Sequence, residues 1–145
     1  MPDKLAFAQA VVFVTLLCAV SVFDLKRRII PDTLNLAIAA SSLLCFSWSN
    51  LWGIAAALPF LLAAVFCGAG NPCGGMGGGD IKLMAACGLV LGLPKGLLAA
   101  AVGLSLLLLY VAGYRMYCKV RGREAVKAFP LAPFLSAGCL LAYFI

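Results

Sequence analysis

Long apolar runs, separated by short polar or glycine-rich segments, make up most of this 145-residue chain. A helix needs about 20 mostly apolar residues to cross a membrane, and several of the runs approach that length. We therefore predict an all-α fold, a polytopic membrane bundle of six transmembrane helices that forms a single domain over residues 1–145. The predicted spans cover residues 5–23, 34–48, 51–68, 81–93, 97–116 and 129–145.

Helix-breaking and capping residues lie between these runs. Pro31 interrupts the helical pattern after the first span. Asp32 or Thr33 can then cap the second helix, because either side chain accepts hydrogen bonds from free backbone N–H groups. The composition of residues 49–50 and of residues 94–96 predicts tight turns at both places.

Two patterns predict contacts inside the bundle. The second span carries four polar residues, which indicates that it faces other helices and not lipid: Asn35, Ser41, Ser42 and Ser47. Gly88 and Gly92 form a G-x-x-x-G pattern, which we interpret as internal packing of the fourth span.

The composition excludes a soluble domain. The chain is 65% hydrophobic and only 11% charged, whereas about a quarter of the residues of a soluble domain are charged. The first apolar run is longer than the core of a signal peptide and has no small-x-small cleavage site at its end. We expect it to be a retained span of an integral membrane protein.

The basic residues predict the orientation of the chain. Eleven Lys and Arg residues against five acidic residues give a net charge of +6, and most of them cluster within residues 26–28 and 115–127. Positive charge marks the cytoplasmic side of a membrane protein. We therefore expect a cytoplasmic (inner) membrane location with both termini outside. Such clusters favour contact with anionic lipids, and we expect no binding to nucleic acid.

The seven cysteines do not predict a metal site. None forms a C-x-x-C pair, and the chain has no His. Most lie in apolar runs, where Cys packs as a small hydrophobic residue. Cys73 is different because it precedes a glycine run; a reactive thiol is open to it, although no neighbouring residue argues for one.

Asp24 and Asp80 are the candidate catalytic residues. Asp24 ends the first span, and Asp80 follows the glycine run 74–79 and opens the fourth span. The predicted topology brings both to the cytoplasmic side. An aspartic peptidase needs two such carboxylates, one ionised to activate water and one protonated to polarise the scissile carbonyl.

Each of these residues also has a simpler interpretation. Asp24 can be an interfacial acid that pairs with Lys26 or Arg27. Asp80 can be the N-cap of the fourth helix, stabilised by the helix dipole, and this would not exclude catalysis. Lys82 can support the ionised form of Asp80 electrostatically, or it can extend to the lipid headgroups.

The short fourth span predicts a water-filled cavity. Its 13 residues form about 20 Å of helix, less than the hydrocarbon thickness of about 30 Å. We expect the glycine run, unable to hold a helix, to form a re-entrant loop. Irregular backbone at that depth needs a water-filled or protein-lined surrounding. We therefore predict a cavity at Asp80 that opens to the cytoplasm.

Three segments resemble one known family. Residues 77–83 resemble the G-x-G-D signature of the type IV prepilin peptidases, residues 24–32 their first-aspartate segment, and residues 130–134 the Pro-x-x-Pro-Phe pattern of their last span. The resemblance implies that Asp24 and Asp80 are the catalytic aspartates. It also implies a supporting motif loop formed by Gly77, Gly78 and Gly79.

The resemblance implies an aspartic-type endopeptidase that cleaves the leader peptide of prepilins or pseudopilins at the cytoplasmic membrane face, just before the hydrophobic N-terminal helix of the substrate. The chain lacks the C-x-x-C loop with which the long bacterial members bind zinc and which accompanies methylation of the new pilin N-terminus. It is similar to the short form found with Flp, or tight-adherence, pili. We therefore expect no cofactor and no methyltransferase activity.

A different class of function also fits paired carboxylates beside a broken helix. A small proton-coupled transporter, or an accessory scaffold of a pilus or secretion system, would use the same features. The chain shows no internal repeat, and both carboxylates lie towards one face of the membrane instead of at its midplane. These two observations favour the peptidase.

Overall fold

The computed structural model describes residues 2–27, 30–68, 77–122 and 129–145. Every regular element within those ranges is helical, which confirms the predicted all-α fold. The residues outside these ranges include Arg28, Ile29, Cys73, the first half of the glycine run (residues 74–76) and the basic residues of 123–128.

Seven α-helices follow one another along the described chain, with two 3₁₀ segments between them. The helices are α1 (Pro2–Arg27), α2 (Asp32–Ser41), α3 (Trp48–Leu51), α4 (Leu58–Gly68), α5 (Gly78–Leu91), α6 (Leu93–Val120) and α7 (Ala132–Phe144). The 3₁₀ segments are Ser42–Cys45, which extends α2, and Trp52–Ala57, which joins α3 to α4.

Three helical stretches are long and apolar enough to cross a membrane: Lys4–Arg27, Trp48–Phe66 and Leu93–Val120. Two shorter apolar stretches, Asp32–Cys45 and Ala132–Phe144, accompany them. Large apolar side chains are exposed along the long stretches, as expected for surfaces that face lipid. A membrane helical bundle fits this pattern, and the count of six crossings stays a prediction.

Two predicted turns are wrong in position. Residues 49–50 are helical, and the break comes earlier, at Phe46 and Ser47, whose backbones are extended. Residues 94–96 belong to α6, and the break comes at Gly92, with φ of +79°. A positive φ favours glycine, and Pro94 then fits in the first helical turn, where its missing N–H has no cost.

Helix α5 lies at the centre of the bundle and contacts α2, α6, α7 and the segment 52–57. Leu83, Met84 and Cys87 on α5 are fully or almost fully buried. Side chains from α1, α2 and α7 complete the core, including Leu17, Ile38 and Leu135. The start of α5 is therefore held in place by the rest of the fold.

Close backbone contact fixes the second half of α5. A Cβ added at Gly88 would overlap the carbonyl oxygen of Gly53, and one added at Gly53 would overlap that of Gly88. The interpretation of the G-x-x-x-G pattern as internal packing is thus confirmed for Gly88. The prediction that the second span faces the bundle is confirmed at Asn35, Ser41 and Ser42, which are buried. It is wrong at Ser47, which is exposed because it lies in the extended break before α3.

Candidate active site

A cavity of about 250 Å³ lies where the end of α1, the start of α2 and the start of α5 meet. It brings together the two predicted catalytic residues, which are far apart in sequence. The cavity is lined by Asp24, Ile30, Asp32, Gly77, Gly78, Gly79 and Asp80.

Asp24 is held by the N-terminus of another helix. It is only 7% exposed, and its Oδ2 accepts a hydrogen bond of 3.1 Å from the backbone N–H of Ala132. Ala132 is the first residue of α7, and first-turn N–H groups have no partner within their own helix. The positive end of a helix is also favourable for a carboxylate.

The simpler interpretation of Asp24 finds no support in the described residues. The structure describes no ion pair from Asp24 to Lys26 or to Arg27, although all three side chains lie within the described part of α1. Its recorded partner is the backbone of α7.

Asp80 is not the N-cap of α5, and this interpretation is wrong. The N-cap is Gly77, which has an extended backbone, and Gly78 and Gly79 are the first two helical residues. Asp80 is the third residue of the helix, and its N–H donates to the Gly77 carbonyl oxygen at 3.0 Å. The expectation of a loop up to Asp80 was wrong because the helix penalty of glycine applies to helix interiors and not to the first turn.

The glycines that precede Asp80 leave space beside the Asp80 carboxylate and beside Ile30. Gly77 and Gly78 are exposed, and a Cβ added at Gly78 would meet nothing within 4 Å. A Cβ at Gly77 would come within 3.3 Å of Asp80 Oδ2. At Gly79 it would come within 3.2 Å of Ile30 Cβ. Glycine is thus needed most where α5 approaches the side chains that line the cavity.

Lys82 pairs with Asp32. Its Nζ donates to both carboxylate oxygens, at 2.9 and 2.8 Å. Pro31 takes the N-cap of α2 and no side-chain capping bond forms there, so the predicted capping by Asp32 or Thr33 is wrong. The paired side chains are 59% and 71% exposed, and such pairs stabilise a fold by at most about 1 kcal/mol. Electrostatic support of Asp80 by Lys82 stays a prediction.

Three features of the site were missed by sequence reasoning. Ile30 forms part of the cavity wall, Asp32 adds a third carboxylate, and Ala132 supplies a backbone donor. The proline-rich pattern at residues 130–134 was a signal for the last of these, because it marks the start of α7. Among the described residues no group of acidic or sulfur ligands is arranged to hold a metal, and a metal-free site stays a prediction.

The fold and the cavity describe a helical membrane protein with two aspartates at one internal site. A family model, the type IV leader peptidase family, matches residues 11–113, a range that includes Asp24 and Asp80. The chain is also similar to the prepilin leader peptidase/N-methyltransferase of Bacillus subtilis (strain 168), with 39% identity over 149 aligned residues. The chain belongs to the type IV leader peptidase family, which confirms the resemblance.

The similarity to the Bacillus subtilis protein covers 97% of this chain and 56% of that relative. The chain therefore spans about half the length of the curated relative that it matches. No solved structure matches the chain at a significant level.

Proposed function

We propose that this chain is a membrane aspartic endopeptidase that removes the leader peptide of type IV prepilin-like proteins. The observation that carries this proposal is that Asp24 and Asp80 line one cavity. The family match supports the proposal, and so does the similarity to the prepilin leader peptidase/N-methyltransferase of Bacillus subtilis. Neither finding favours the transporter or the scaffold.

The proposed mechanism uses the two carboxylates with one proton between them, since two adjacent negative charges repel. The ionised carboxylate takes a proton from water, and the water oxygen attacks the scissile carbonyl carbon. The protonated carboxylate gives its proton to the carbonyl oxygen. When the C–N bond breaks, the first carboxylate gives the water proton to the leaving amine. The second carboxylate takes a proton back from a hydroxyl group of the tetrahedral intermediate as the carbonyl re-forms.

The two aspartates are supported differently, and this suits the mechanism. The N–H of Ala132 holds one oxygen of Asp24, so that this carboxylate keeps its position without a side-chain partner. Asp80 lies in the first turn of α5, where the missing Cβ of Gly77 leaves room beside the carboxylate for a peptide backbone to approach. In this proposal the scissile bond lies beside Gly77 and Asp80.

We infer that the cavity opens to the cytoplasm. Lys26 and Arg27 follow Asp24 in the last turn of α1, and Lys119 and Arg121 lie at the end of α6. Positive residues at helix ends mark the cytoplasmic side and attract anionic lipids. The same reasoning leads to both termini outside. A substrate of the Flp type is proposed on a different ground, the similarity of this chain to the short form of the family, which lacks the C-x-x-C loop.

Co-expression with a Flp-type prepilin tests the proposal. Asp24→Asn and Asp80→Asn should each lower cleavage, read as a gel shift, by roughly 1000-fold or more, because removing either member of a catalytic pair removes its function. Asp3→Asn is the matched control, since Asp3 lies at the opposite end of α1. Cleavage that survives either substitution at the cavity would overturn the aspartic mechanism.

A further inference from the structure

A second cavity lies beside the active site, between α2 and α5. Its volume is about 310 Å³, and Asp32 lines both cavities. Its walls are mostly apolar, and we call it the α2–α5 groove; among the residues that line it are Leu36 and Ala39 on α2 and Ala85 and Leu89 on α5. The groove thus continues the active-site cavity along an apolar surface.

One polar side chain in this groove lacks a partner. Asn35 is only 6% exposed and lines the groove. Neither its Nδ2 nor its Oδ1 has a hydrogen-bond partner among the described residues. Gln9, a second buried amide, donates from its Nε2 to the Ser41 carbonyl oxygen at 3.2 Å. An unpaired buried amide is destabilising, so the fold itself gives no reason to keep Asn35.

We propose that the α2–α5 groove binds the apolar helix of the prepilin that follows the scissile bond, and that Asn35 hydrogen-bonds a polar group on it. This inference rests on the proposed function. An apolar wall suits a hydrophobic segment and not a charged leader. An amide both donates and accepts hydrogen bonds, so it can pair with a hydroxyl, an amide or a carboxyl group.

The connection between the two cavities can open at little cost. At this connection Lys82 on α5 forms an ion pair with Asp32 on α2. Both side chains are more than half exposed, and exposed pairs of this kind hold helices together only weakly. A substrate can therefore extend from the aspartates into the groove without disrupting the core.

Kinetics of two leucine variants test the role of Asn35, with a synthetic Flp-type prepilin peptide in detergent. Asn35→Leu should raise KM about tenfold at unchanged kcat, since it removes binding that is shared by ground state and transition state. Its unfolding temperature should stay the same or rise. Gln9→Leu, the matched control, should lower the unfolding temperature and leave KM unchanged.

An unchanged KM in Asn35→Leu would overturn the inference. It would mean that the unpaired amide has no part in binding substrate.

Photo-crosslinking locates the bound peptide without relying on cleavage. A photoreactive amino acid is placed at position 36 of the Asp80→Asn variant, and in a control at position 11. Val11 lines a different apolar groove, of about 410 Å³, beside Phe144. Position 36 should crosslink to the apolar segment of the peptide, and position 11 should not. Equal crosslinking at both positions, or crosslinking of position 36 to the leader, would overturn the inference.

Cleavage of the same peptide by the unsubstituted chain separates the two proposals. If the peptide is cleaved and position 36 does not crosslink, only the groove is wrong. If the peptide is not cleaved while Asp24 and Asp80 are intact, the proposed function fails, and the inference about the groove fails with it.

Discussion

The two ends of α5 use glycine for opposite purposes. At its start, Gly77 and Gly78 are exposed and leave space around Asp80. In its second half, Gly88 is buried and removes space, so that the backbones of α5 and of segment 52–57 touch. The same residue type therefore opens a cavity at one end of the helix and closes the bundle at the other.

The difference shows that the structural role of a glycine follows from the atoms that a Cβ at its position would contact. At Gly88 the obstacle is a backbone carbonyl, which cannot rotate away. At Gly79 the nearest atom is Ile30 Cβ, 3.2 Å away, so a shift of a few tenths of an ångström would relieve the contact. We call the region around Gly88 the closed end of α5 and residues 77–80 its open end. Substitutions at the closed end should therefore mainly lower stability, and substitutions at the open end should mainly lower the rate of cleavage.

The largest effect is expected for Gly88→Ala. One methyl group would force α5 away from Gly53, and overpacking against backbone should lower the unfolding free energy by about 3 kcal/mol. Thermal unfolding in detergent, followed by the fluorescence of Trp48 and Trp52 in the adjoining segment, measures the loss. Gly113→Ala is the control, because nothing lies within 4 Å of its added Cβ. Equal unfolding temperatures in the two variants would refute the contrast between the two ends.

The sequence predicted the pairing of aspartates at the open end of α5 better than it predicted the helix contact at the closed end. Asp24 and Asp80 were paired from topology and from the G-x-G-D pattern, and the fold brings both to one cavity. Gly88 was assigned to packing, but its partner Gly53 lies in a different helical segment and has no local signal. A contact between distant residues depends on how the helices dock, which one chain read alone does not specify.

Two local errors have a different cause. The helix penalty of glycine was applied to the first turn of α5, where Gly78 and Gly79 are helical. The proline turn was assigned to residues 94–96, although proline fits the first turn of α6 and the break falls at Gly92. In both cases a residue preference that holds for helix interiors was extended to a helix start.

The open end of α5 can serve chemistry only if the aspartate across the cavity is held in place. Replacing Ala132 by lactic acid converts its backbone amide to an ester and removes the N–H that Asp24 accepts from. Hydrogen bonds to charged groups are strong, so cleavage of a prepilin should fall at least about tenfold. Cell-free synthesis into lipid nanodiscs supplies the protein for this assay.

The same replacement at Ala137 is the matched control. Ala137 lies farther along α7, so the ester there weakens the helix without touching Asp24. Similar losses of activity at the two positions would mean that Ala132 acts only by stabilising α7.

The smallest effects are expected from adding a single methyl group at the open end. In Gly79→Ala the new Cβ lies 3.2 Å from Ile30 Cβ, so α5 or Ile30 must shift slightly and Asp80 shifts with it. A misplacement worth about 1.4 kcal/mol would lower kcat/KM about tenfold. In Gly78→Ala the added Cβ meets nothing within 4 Å, so the loss should be several-fold smaller. Steady-state cleavage of one prepilin peptide by both variants gives the ratio. If Gly78→Ala loses as much as Gly79→Ala, then the space at this end serves the approach of substrate and not the position of Asp80.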